Sequence, residues 1–166
     1  MLPTTEGSTT SRVADACTGA GTAQDFKDYN ASGVLYAETI ASVHGGNITL
    51  SSGSNNDNLM ISFNLNSDRI DCNMKVGGAY QFIFNYTTDM SLNHKIAVRY
   101  KTNDFALFVD GTKVLTDTSG ITPTSGTLSE LNFSTANQAI AFFYGKTKAL
   151  EVLPYMSDEE MITLTT

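Results

Sequence analysis

The stretch covering residues 94–114, HKIAVRYKTNDFALFVDGTKV, holds two segments of period-two hydrophobicity joined by a polar turn. Its first part sets Ile96, Val98 and Tyr100 against Lys95, Ala97 and Arg99, one apolar and one mixed face, which is how a strand of a sandwich reads. Phe105-Ala106-Leu107-Phe108-Val109 then runs into Asp110-Gly111 and returns as Lys113-Val114-Leu115. An Asp-Gly pair between apolar runs is a strong hairpin signal, because both central residues of the favoured turn take positive φ.

The same pattern extends in both directions. Residues 33–43 alternate Val34, Tyr36, Glu38 and Ile40 with Leu35, Ala37, Thr39 and Ala41, a strand with both faces at least partly covered. Residues 48–51 and 59–64 are separated by the polar turn 52–58, SGSNNDN, and the second sets Ile61, Phe63 and Leu65 against Met60, Ser62 and Asn64. Residues 69–76 and 79–87 are joined through Gly77-Gly78; Tyr80, Phe82, Phe84 and Tyr86 are expected on one face, with Gln81, Ile83 and Asn85 on the other. Segments 128–133 and 140–153 complete nine or ten strands, whose spacing indicates an all-β antiparallel sandwich. Ser157-Asp158-Glu159-Glu160 is a capping box, predicting a short closing helical turn that docks Met161, Ile162 and Leu164. Residues 1–24 are rich in Thr, Ser, Ala and Gly and are expected to form an arm or linker, with Val13, Ala14, Ala16 and Cys17 its sticky part; residues 25–166 are expected to form one domain.

Composition narrows the function classes. The chain has 166 residues, 50 of them Ser, Thr or Asn against 27 charged, a balance that favours strands and turns over helices. A formal charge of −7, with three Arg and no basic cluster, gives no electrostatic footprint for nucleic acid. No apolar run approaches the roughly 20 residues of a membrane helix, and the first residues lack the charged and apolar regions of a secretion signal. Cys17 and Cys72 match no zinc or redox spacing and are expected to be free thiols.

Residues 94–114 resemble the central hairpin of concanavalin A-like (laminin-G-like) jelly-roll domains, in which a strand ending in Tyr or Phe precedes a polar turn, an Asp-Gly strand and a return strand. The finish is similar too: FYGKTKALEV, residues 143–152, followed by Ser157-Asp158-Glu159-Glu160, looks like the last strand and closing turn of that superfamily. More narrowly, QDFKDYNASGVLYAETIA (24–41), YKTNDFALFVDGTKV (100–114) and TDTSG (116–120) are similar to domains of bacteriophage tail and head-fibre proteins. The resemblance implies a jelly-roll β-sandwich and a non-enzymatic virion appendage protein, located on the virion, displaying a surface for oligomerisation or host attachment. Its expected partners are identical subunits or other virion proteins and a host-surface glycan. The alternative is a carbohydrate-binding module that uses the loop ends of the sandwich.

Candidate chemistry is sparse. Hydrolases on this fold place paired carboxylates on alternate positions of one strand, and no Glu-x-Asp-x-x-Glu run occurs; Glu38, Glu130 and Glu151 are isolated. Neither His44 nor His94 has a ligand or base partner at sequence spacing, and no Gly-x-Ser-x-Gly elbow is present. No catalytic residue, metal or cofactor is expected. For calcium, the loops Asn55-Asn56-Asp57-Asn58 and Asp117-Thr118-Ser119 supply one carboxylate each, and ordinary turn chemistry accounts for both. Sugar recognition asks for an aromatic ring beside Asn and Asp side chains; with no Trp, the candidates are Tyr29, Tyr36, Tyr80, Tyr86 and Tyr155, and the expected site joins Tyr36 to Asn55, Asn56, Asp57 and Asn58.

Overall fold

The computed structural model describes residues 21–29, 31–42, 45–136 and 140–166. Residues 1–20, which carry Cys17 and the apolar part of the expected arm, and His44 lie outside the described residues. A helical turn, α1 (Ala23–Phe26), passes through a 3-10 turn (Lys27–Tyr29) into ten strands: β1 (Ser32–Ala41), β2 (Gly46–Ser51), β3 (Asn58–Asn64), β4 (Arg69–Val76), β5 (Ala79–Thr87), β6 (His94–Lys101), β7 (Asp104–Val109), β8 (Thr112–Asp117), β9 (Glu130–Asn132) and β10 (Gly145–Leu153). A helix, α2 (Asp158–Thr165), closes the chain. Two five-stranded antiparallel sheets, ordered β10-β1-β6-β7-β8 and β5-β4-β3-β2-β9, make the sandwich.

The turns expected from sequence set the register. Gly77 and Gly78 take φ of 57° and 83°, and Asp110 and Gly111 take 48° and 75°, the two positive-φ positions of a twisted hairpin turn. Asp110 is held there by its own side chain, whose Oδ1 accepts the Lys95 amide at 2.9 Å and whose Oδ2 meets His94 Nδ1 at 2.6 Å. The other ring nitrogen of His94 faces the Asp89 carbonyl at 2.8 Å, so this histidine is a buried clamp between two turns.

Alternation fills the space between the sheets. Leu35, Ile96, Val98, Tyr100, Phe105 and Leu107 point from one sheet toward Ile48, Leu59, Ile61, Ile70, Cys72, Met74, Phe82 and Phe84 of the other. Each such side chain contributes about 1.5–3 kcal/mol relative to exposure, which makes this layer the main source of stability. Cys72 is a free, fully buried thiol in it, and burial pushes its pKa well above the usual thiol range. Tyr100 stands in the same layer because its hydroxyl finds a partner, donating to the Tyr29 carbonyl at 2.6 Å. Gly33 makes room for that hydroxyl, which a Cβ at this position would meet at 2.8 Å.

A second, smaller cluster lies on the outside of the sheet containing β1. Val34, Tyr36, Ala97, Ala106 and Phe108 are closed over by Met161 of α2. The capping box forms as the sequence predicts: Ser157 Oγ accepts the Glu160 amide, and Glu160 Oε2 accepts the Ser157 amide at 2.7 Å. Buried Arg99 ties the helix down, donating to Asp158 Oδ1 at 2.5 Å and to Asp104 Oδ1 at 3.1 Å, while Lys113 donates to Asp158 Oδ2 at 2.7 Å. The two sheets therefore differ on their outer faces, and only the one behind β1, β6 and β7 has this helical cover.

Candidate functional site

On β2 to β5 and β9 the residues opposed to the core are mostly polar, and the register gathers them into rows. One row crosses Asn47, Ser62, Asp71 and Asn85, and the next crosses Asn132, Thr49, Met60, Asn73 and Ile83. A third crosses Glu130, Ser51, Asn58, Lys75 and Tyr80, and Arg69 stands between Asn64 and Thr87 at the far end. Asn is poorly suited to strands, so its repeated use on one side of a sheet calls for a reason other than strand formation.

Tyr80 reaches this face through a bulge. Strict alternation puts it with Phe82, Phe84 and Tyr86 in the core. Instead the β4–β5 register shifts after Met74, so that Met74 pairs with Phe82 and Lys75 with Tyr80, leaving Gln81 as the extra residue. Parity is reversed beyond that point, and Tyr80 turns outward with 55% of its surface exposed. Gln81 fixes the kink, accepting the Ile121 amide at 3.0 Å and donating to the Ala79 carbonyl at 3.0 Å. The Lys75 ammonium lies over one face of the Tyr80 ring, 4.6 Å from its centre. Ile83, 56% exposed, supplies an apolar contact on the same strand.

The face is graded from β9 to β5. Near β9 its polar groups are buried, and two of them are held within the protein: Thr49 Oγ1 donates to the Ser134 carbonyl at 2.8 Å and Asn47 Nδ2 to Thr135 Oγ1 at 2.9 Å. Toward β5 exposure rises, from Asn73, 8% exposed, to Asn85 and Tyr80, open to solvent, and among the described residues the side chains of Ser62, Asn73 and Asn85 make no hydrogen bond with the protein, leaving their donors and acceptors for water or a ligand. Arg69 and Asp71, two residues apart on β4, pair side by side, with Nε to Oδ1 at 2.5 Å and Nη2 to Oδ2 at 2.9 Å. This pairing raises the guanidinium's pKa further above its already high range.

The expected site residues separate. Tyr36 is 5% exposed on the outer face of the other sheet, beneath α2, because its position on β1 belongs to the smaller apolar cluster. The structure does not bring it to Asn55–Asn58. Those four residues lie in and beside the β2–β3 hairpin that borders the row ending in Tyr80. Asn58 belongs to that row and its Nδ2 donates to the Asn55 carbonyl at 2.9 Å; Asp57 Oδ1 accepts the Gly77 amide at 2.8 Å, and the Asn56 carbonyl accepts from Gly78. Sequence reading missed the face itself. Its signal is the set Asn73, Lys75 and Asn85 opposite core positions, and only cross-strand register joins such residues.

Among the described residues no group of three or more His, Cys, Asp or Glu stands at metal-holding distance. Glu38 is engaged by Lys148 at 2.9 Å and by Asn93 at 3.2 Å, and its carboxyl is held below its usual range chiefly by the lysine. No helix among the described residues is long and apolar enough to cross a membrane.

No family model matches the chain, and no curated protein matches it by sequence. Solved structures do match it in fold. The sialidase carbohydrate-binding module CBM40 of Ruminococcus gnavus, solved with α2,3-sialyllactose, superimposes with a TM-score of 0.71 at 16% identity over 91% of this chain and 94% of that one. Domain 4 of the extracellular arabinanase AbnA from Geobacillus stearothermophilus, solved with arabinotriose, gives 0.61 at 10% identity over 82% of this chain and 67% of that one. The module CBM66 of Bacillus subtilis gives 0.51 at 8% identity over 74% and 75%. The chain has the jelly-roll, concanavalin A-like fold of these modules. The virion-appendage expectation is overturned by the same finding, since its structural neighbours are carbohydrate-binding modules; the stretches behind it, 24–41, 100–114 and 116–120, run through β1, β7 and β8 and belong to the sandwich as such.

Proposed function

We propose that this chain is a non-catalytic carbohydrate-binding module that holds glycan on the outer face of β5, β4 and β3, bordered by Asn55, Asn56 and Asp57 of the β2–β3 hairpin. The observation that carries the proposal is the bulge at Gln81, which places an exposed Tyr80 beside Ile83 and the unpartnered amides of Asn73 and Asn85. A sugar ring offers an apolar C–H face and a rim of hydroxyls that both donate and accept. An exposed aromatic ring suits the first, and Asn side chains, each with an oxygen and an NH2, suit the second. Along β4 the face extends from Arg69 to Lys75, seven residues spanning roughly 20 Å, room for more than one sugar unit. The likeness to glycan-binding modules supports the same class of ligand.

The test is titration calorimetry of the folded chain against plant, bacterial and animal oligosaccharides. Saturable binding at about millimolar affinity or tighter is expected for at least one series. A flat response across the panel by a protein with an intact β-sheet circular dichroism spectrum rejects the proposal.

A further inference from the structure

We infer that the face selects uncharged glycans and discriminates against sugars that carry a carboxylate, sulfate or phosphate; the inference rests on the carbohydrate-binding proposal. It follows from how the charges are disposed. Four ionisable side chains stand on the face, Arg69, Asp71, Lys75 and Glu130, two of each sign, and two further acids, Asp57 and Asp68, flank it in the adjoining turns. No excess of positive charge meets an incoming anion, and the full chain carries −7. Association of an anionic ligand is opposed at long range and unrewarded at contact.

Contact chemistry points the same way. The Arg69 guanidinium, the natural fork for a ligand carboxylate, is already ion-paired with Asp71, its Nη2 donating to Oδ2 at 2.9 Å and its Nε lying against Oδ1. A ligand carboxylate placed against the remaining guanidinium donors would lie close to the Asp71 carboxylate, and like charges at such range are costly. A hydroxyl has no such conflict. It accepts from the Arg69 Nη groups and donates to Asp71 Oδ2, so the ion pair serves as a joint donor and acceptor for a neutral polyol. Lys75 is likewise engaged, its ammonium 4.6 Å from the centre of the Tyr80 ring. Asn73, between Asp71 and Lys75 on the same side of β4, adds neutral hydrogen-bonding capacity.

The experiment compares congeners that differ in charge alone. The wild-type chain is titrated with lactose and 3′-sialyllactose, and with unsulfated and sulfated, and methyl-esterified and free-acid, forms of the oligosaccharides in the panel, at low and high NaCl. Neutral members are expected to bind at least about tenfold more tightly than their acidic partners, with little dependence on salt. Tighter binding of acidic members, weakening steeply with salt, overturns the inference and leaves the carbohydrate proposal standing. Failure of every member, neutral and acidic, rejects both. Asp71→Asn provides a second readout, because it frees the guanidinium: the preference is expected to move toward the acidic congener by about tenfold, and an unchanged ratio in a folded variant counts against the inference. The wild-type comparison decides the matter if that variant does not fold.

Discussion

A phenol that stacks on a sugar must be reached from solvent, and a phenol that fills a core must not. Tyr80 and Tyr36 occupy these opposite situations in one chain, at 55% and 5% exposure. Substituting each separates binding from stability. Tyr80→Ala removes a largely solvated ring, so stability is expected to change by no more than about 0.5 kcal/mol. Glycan affinity is expected to fall about tenfold or more, the range of an interface anchor. Tyr36→Ala opens a cavity between β1 and α2 and is expected to cost about 3 kcal/mol, as large-to-small changes do in cores. Denaturant melts and calorimetric titrations of the two variants check the pair, and an affinity loss for folded Tyr36→Ala equal to that of Tyr80→Ala contradicts the assignment of the face. The sequence shows why the two tyrosines look alike beforehand. Each sits in a period-two run, Tyr36 between Val34 and Glu38 and Tyr80 before Phe82, and alternation alone does not say which side of a sheet receives a helix.

At the scale of elements, strands and turns were legible because they rest on local chemistry. Gly77-Gly78, Asp110-Gly111 and the Ser157 to Glu160 box each need only residues within reach of one another, and each forms in the structure. The bulge was not legible, since it depends on how β5 registers with β4 and on a contact from Gln81 to Ile121, 40 residues away. The proposed binding face depends on five strands brought together from 47 to 132. The end of α2 offers a prediction that follows from local and distant contacts together. Asp158 is held below the usual carboxylate range by hydrogen bonds from Lys113 and Arg99, and Glu160 by the Ser157 amide and hydroxyl. Groups whose folded pKa is lowered stabilise the folded state fully above their unfolded value, near 4, and lose that contribution as pH falls through the lower folded value. The helix is therefore expected to loosen as pH drops from about 4 toward 2, seen as faster amide exchange over residues 158–165. Asp158→Asn is expected to show weaker attachment at neutral pH and a smaller acid-dependent change, and an unaltered pH profile in that variant contradicts the role given to the ion pairs.

At the scale of the whole molecule, the two sheets share one core but have different outer faces, and the chain's last ten residues make the difference. β10 pairs with β1 across more than a hundred residues, Val34 opposite Leu153, and α2 then folds over Val34, Tyr36, Ala97, Ala106 and Phe108. The outer face of the second sheet has Asn, Ser and Thr at the equivalent non-core positions, side chains that tolerate water or take a ligand. One face is apolar and needs a cover; the other is polar and stands uncovered. Removing residues 157–166 separates the two. The truncated chain retains all ten strands, so the glycan face proposed on β3 to β5 is expected to persist, with affinity within about twofold of the full chain while the sheet stays folded. The smaller cluster is then exposed along with the Arg99 guanidinium, which loses its Asp158 partner. A contiguous apolar patch of this kind promotes dye binding and self-association. Increased fluorescence of a hydrophobic dye and a concentration-dependent rise in light scattering are expected, both reversed by a Tyr36→Gln, Phe108→Gln double change in the truncated background. Loss of glycan binding by a truncated chain whose sheet spectrum is intact would instead place the ligand on the α2 side of the sandwich, against the face argued from Tyr80, Asn73 and Asn85.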